Sequence, residues 1–114
     1  MINSKSFYSL MMIFAFTGSL AAQECVYPAL VEIPDGATAA IEDMITAQGN
    51  IQQFVIDMTA YQDCINVAIE VAGTDATIEF KAIMDGRFNA AATEIEAIAA
   101  AFNEQIVAFR AANP

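Results

Sequence analysis

From Ile41 onward the apolar residues fall at alternating three- and four-residue steps. Ile41, Met44, Ile51, Val55, Met58, Ile65 and Ile69 form the series, and Gln48 and Gln62 fill its remaining rungs. Such spacing predicts an amphipathic helix with a heptad seam. A second stripe through Phe54, Tyr61, Cys64, Ala68 and Val71 runs along the same helix, so it needs a partner on each of two faces. Thr38 is suited to cap its start, with Glu42 and Asp43 at the positive end of the dipole. Gly49-Asn50 are poor helix formers, the Gly costing on the order of 1 kcal/mol, and mark a place for a kink.

Gly73-Thr74 predicts a tight link between antiparallel helices, with Gly73 ending the first and Thr74 capping a second that begins near Asp75. The second seam is expected to run through Ile78, Met84, Phe88, Ala91, Ala92, Ile95, Ile98, Ala99, Phe102, Ile106 and Phe109. Asp85-Gly86 is its weak point, Arg110 complements the dipole, and Asn113-Pro114 ends it.

The stretch before the helices reads differently. Between Cys25 and Thr38 stand Pro28 and Pro34, which favour extended backbone, and Pro34-Asp35-Gly36 reads as a turn. Residues 23–37 are therefore expected to form an arm, and 38–114 a helical hairpin that makes one domain with it. A helix from Thr38 to Cys64 is about 39 Å long, and an extended chain from Cys25 to Thr38 spans about 43 Å. An arm folded back along the first helix would bring Cys25 beside Cys64 and lay Val26, Tyr27, Leu30 and Ile33 over Phe54 and Tyr61.

Residues 1–22 have the organisation of a secretory signal peptide: Lys5 near the start, an apolar run from Phe7 to Phe16, and small residues at Ser19-Leu20-Ala21-Ala22 for cleavage after Ala21 or Ala22. The run from Phe7 to Ala22 spans about 24 Å as helix, short for an anchor in a hydrocarbon core near 30 Å. Cys25 follows Gln23-Glu24 rather than the small residues that lipidation requires. Two Cys in a short exported chain most simply form one bridge. A reactive pair is the rival reading, but no Lys, Arg or His lies between Gln23 and Phe80 to stabilise a thiolate.

Composition then removes most chemistry. Of 114 residues 57% are hydrophobic, too many for a disordered chain despite a net charge of −10. All four Ser lie in the head, and His and Trp are absent, so Ser-His-Asp and Cys-His nucleophiles and His/Cys zinc sites have no material. Past the head, 14 acids face only Lys81, Arg87 and Arg110, which argues against nucleic acid as a partner. Glu42 with Asp43, or Glu94 with Glu96, could serve as an acid/base or cation pair, but neighbours one or two apart do not share a helix face. A solvated acidic surface accounts for them. Phe88, Phe102 and Phe109 recur at multiples of seven, and a helix seam accounts for them better than a cofactor or lipid pocket.

At Cys25 through the Ile33-Pro34-Asp35-Gly36 turn, at Tyr61-Gln62-Asp63-Cys64, at Phe88-Asn89-Ala90-Ala91 and from Phe102 to Arg110, the chain resembles a group of small exported helical proteins of proteobacteria. The resemblance implies periplasmic residence and a helical form, and carries no activity with it.

Together these readings predict an all-α, acidic, periplasmic or secreted protein: an antiparallel two-helix hairpin whose arm is tied back by a Cys25 to Cys64 disulfide. Ordering some 75 helical residues costs on the order of 100 kcal/mol, more than one seam per helix readily offsets, so a dimeric four-helix bundle is a natural completion. No enzyme activity, cofactor, metal, nucleic acid or stable membrane anchor is expected. The expected role is a structural or protein-interaction module that binds a protein partner or itself, with Phe54, Tyr61, Phe88, Phe102 and Phe109 as the candidate interaction face. The alternative of a different class is an acid or envelope-stress chaperone, because protonating the carboxylates would reverse the net charge and expose the seams.

Overall fold

The computed structural model describes residues 24–114, so the signal-peptide prediction for residues 1–22 lies outside the described residues. Among the described residues there are two α-helices and no strand: α1 (Ile41–Ala72) and α2 (Ile78–Ala112), packed as an antiparallel pair. An extended arm from Cys25 leads through a turn at Gly36–Thr38 into α1. The all-α hairpin with its disulfide-tied arm is thus the fold of this chain.

The start of α1 lies later than Thr38. Asp35 organises the turn: its carboxylate Oδ1 accepts from the Ala37 amide at 3.1 Å, and its carbonyl accepts from the amides of Thr38 at 3.2 Å and Ala39 at 2.9 Å. With Thr38 held in that turn, the helix begins at Ile41 behind Ala40, which provides no side-chain cap. Glu42 and Asp43 nevertheless occupy the first turn. Past it, α1 is helical through Gly49-Asn50 without a break.

Gly73 ends α1 as expected, adopting φ 52°, where a side chain would be strained, and donating its amide to the Ile69 carbonyl. The link is longer than Gly73-Thr74. A 3₁₀ turn at Gly73–Asp75 is closed by the Ala76 amide on the Gly73 carbonyl at 3.2 Å, carrying the chain across to the second helix. α2 then begins at Ile78, and its cap is Thr77, whose Oγ1 accepts from the Phe80 amide at 3.0 Å. Thr74 is therefore a turn residue, not the cap.

The core is built on the heptad period. On α1 the buried residues are Met44, Ala47, Ile51, Phe54, Met58, Tyr61 and Ile65, a strict alternation of three- and four-residue steps. Met58 and Ile65, in the row that repeats every seven residues, retain no exposure at all. At 100° per residue, Ala47, Phe54 and Tyr61 flank this row on one side and Val55, Gln62 and Ile69 on the other. The first predicted stripe thus holds the buried row together with one shoulder, and the second predicted stripe, at Phe54 and Tyr61, is the other shoulder. On α2, Met84, Ala91 and Ile98 occupy the matching row, followed by Phe102. Ile78 and Ala99 lie outside this seam: Ile78, about 120° around the helix from Met84, is 84% exposed, and Ala99 is exposed. Phe80, one turn before Met84, packs against the core instead.

Candidate functional site

Two surfaces flank the buried row, and they differ in what covers them. Over the first shoulder lies the arm. Cys25 and Cys64 are joined with their Cα atoms 5.6 Å apart, closing a loop across 39 positions. Next to the bridge the Tyr27 ring stands edge-on to Tyr61, with centroids 5.1 Å apart and planes at 75°, the arrangement that places a ring edge on a π face. Farther on, Val31 and Ile33 pack against the core. Extended backbone turns alternate side chains to opposite sides, and the odd-numbered residues Cys25, Val31 and Ile33 take the inward positions. Val26 and Leu30, expected to cover Phe54 and Tyr61, are instead exposed.

At its far end the arm reaches α2. The buried Gly36 donates its amide to Gln105 Oε1 at 2.9 Å. A Cβ at this position would overlap the Gln105 carbonyl oxygen and lie 3.0 Å from the Phe109 amide nitrogen. The glycine is required here by close approach rather than by an unusual φ. Gln105 is a docking residue that sequence reading missed. Its only signal was a place on the α2 seam, three residues after Phe102 and four before Phe109.

Titratable groups follow the same division. The Tyr27 phenol is held above its ordinary value of 10.0 by partial burial first, then by the Glu94 carboxylate and the Tyr61 phenol. Glu94 is half-buried on the arm side of α2 while Glu96 is exposed, so the two do not converge. Glu42 and Asp43 are exposed in the first turn of α1. Among the described residues no three His, Cys, Asp or Glu side chains are grouped to hold a metal ion. A half-open cleft of about 820 Å³ lies beside the disulfide, walled by Val67, Val71, Phe80 and Met84, with Glu24 and Arg87 at its edge.

Of the five aromatic residues expected to form an interaction face, Phe54, Tyr61 and Phe102 are buried in the core, and Phe88 and Phe109 are half-buried against it. The arm and α2 are the partners of Phe54 and Tyr61. What remains open is the second shoulder. Along α1 it carries Val55, Gln62 and Ile69, with Ile45, Gln52, Thr59 and Asn66 one row farther out. Gln62 Nε2 donates to the Phe88 carbonyl at 3.2 Å, tying this shoulder to α2. There the surface continues through Phe88, Ala92, Ile95 and Ile106, all half-buried.

Apart from Lys81 and Asp85 in the first turns of α2, this open face carries no charge. The acids of α1, namely Glu42, Asp43, Asp57, Asp63 and Glu70, all fall on other rows of the helix. On α2, Asp85 lies on the seven-residue row of Ala92 and Ile106, with Lys81 one turn before it on the row of Phe88 and Ile95, while Glu96 and Arg110 point farther outward. In a chain with 14 acids, a face along the helix pair whose charged side chains are one base and one acid at the start of α2 is a specific feature.

The fold and this surface define a class: a small disulfide-clasped helical hairpin with one covered and one open face. Comparison with protein families, with curated proteins and with solved structures finds no match. The bridge itself points to an oxidising compartment. No helix among the described residues is long and apolar enough to cross a membrane.

Proposed function

We propose that the protein is a non-catalytic, exported helical module that acts by binding another polypeptide through the face opposite the arm. One observation carries this reading: the half-buried Val55, Ile69, Phe88, Ile95 and Ile106 lie together on a face of an acidic helix pair that carries charge only at Lys81 and Asp85, at the start of α2. Apolar area left open at a helix-helix groove is the surface into which further helices pack. The disulfide supports residence outside the cytoplasm, and the signal-like residues 1–22 supply the route. A photo-crosslinking side chain placed at Gln52, on the open face, should yield a protein adduct in the native compartment. The same group at Val26, on the outer side of the arm, should yield none. Equal labelling from both positions, or none from Gln52, would remove the reading.

A further inference from the structure

We infer that the polypeptide bound by this face is a second copy of the same chain, docked across a two-fold axis to complete a four-helix bundle. The inference rests on the reading that the open face is a docking surface, and adds the identity of the partner. Charge is the first reason. Beyond residue 23 the chain has 14 acids and three bases, so two copies repel wherever their surfaces meet unless the contact excludes carboxylates. The strip bearing Val55, Ile69 and Ile95 meets that condition except at Asp85, which stands one turn from Lys81 at the start of α2. A basic partner, by contrast, would gain most from the faces that carry the acids.

The polar residues on the strip give the second reason. Gln48, Gln52 and Asn66 are exposed along it, and each side-chain amide carries both a hydrogen-bond donor and an acceptor. A two-fold axis brings a surface against itself, and an amide or hydroxyl can pair with its own kind where a charged group cannot. Size is the third. α1 has 32 residues and is about 48 Å long; a helix pair of that length offers a face on the order of 900 Å², against about 800 Å² per partner in a standard stable interface. Because such a contact is isologous, it closes at two copies and does not propagate.

Sedimentation equilibrium of the oxidised protein tests the inference. The expected result is a dimer that tightens as salt rises from about 0.05 to about 0.5 M, because screening weakens repulsion between the acidic bodies while the apolar contact is retained. Gln52→Glu combined with Ala99→Glu places new charges on the strip at two exposed positions. Dimer dissociation should strengthen by at least about 30-fold in this variant, with unchanged circular dichroism. Leu30→Glu, on the arm side, should leave the dimer intact.

A monomer at all concentrations, a dimer that weakens with salt, or one lost in Leu30→Glu but kept in the strip variant would each overturn the inference. The salt response of the unmodified protein decides the matter even if the double variant folds poorly. A monomer that still crosslinks at Gln52 to a different protein defeats the self-partner alone. A monomer with no adduct at Gln52 defeats the docking surface as well.

Discussion

At the scale of single residues, Gly36 shows how a local motif acquires a distant reason. Pro34-Asp35-Gly36 is legible as a turn, yet the demand for glycine comes from Gln105, 69 positions away, whose side chain takes the Gly36 amide and whose backbone leaves no room for a Cβ. Nothing in the neighbourhood of Gly36 could announce that contact. Gly36→Ala must push the turn off α2, and urea denaturation should show a loss of about 1 to 3 kcal/mol, the usual cost of overpacking. Tyr27 gives a second test. Its folded value lies above the ordinary 10.0, so the folded protein favours the neutral phenol. That contribution is complete below pH 10.0 and disappears as the pH rises through the raised folded value. Urea midpoints measured from neutral pH into alkali should therefore fall more steeply for the native protein than for Tyr27→Phe. Equal slopes would show that the arm does not restrain the phenol.

At the scale of the elements, the two helices and the arm were legible because each leaves a periodic or compositional trace. The row Met44, Ile51, Met58, Ile65 repeats every seven residues, and Gly73 marks where α1 stops. Their exact starts were not legible, because both depend on competition between neighbouring hydrogen bonds. Asp35 draws Thr38 into a turn, and the 3₁₀ segment occupies Thr74, leaving Ala40 and Thr77 to open the helices. The facing of the arm was legible in part: Tyr27 and Ile33 pack inward as expected, but extended backbone turns the even-numbered Val26 and Leu30 outward and brings Val31 in instead. The cap assignment is directly measurable. Thr77→Ala removes the acceptor of the Phe80 amide and should cost about 1 kcal/mol. Thr74→Ala, at an exposed turn position, should change stability by less than about 0.5 kcal/mol.

At the scale of the whole molecule, a helix pair has two grooves, and here they are treated differently. One is filled by the chain's own arm, anchored at Cys64 on α1 and at Gln105 on α2. The other is left open, with charge only at Lys81 and Asp85 near one end. The candidate aromatic face was only partly legible: the arm was expected over Phe54 and Tyr61, and residues so covered are closed to a partner. The arm's choice follows from the cysteine: Cys64 lies on the shoulder of Tyr61, so a bridge to Cys25 commits the arm to that side. If the bridge is what holds the arm in its groove, removing it should uncover Phe54 and Tyr61 without melting the helices. A loop of about 40 residues corresponds to roughly 4 kcal/mol of chain entropy. Cys25→Ser with Cys64→Ser should accordingly lose up to about that much stability to urea, gain binding of a hydrophobic dye, and become sensitive to protease between residues 24 and 38. Helical circular dichroism should remain, since both caps and the seam between α1 and α2 are untouched. Protection of residues 24–38 in the double Ser variant would instead show that Gly36, Val31 and Ile33 hold the arm by themselves, with the disulfide as a lock on a contact already made.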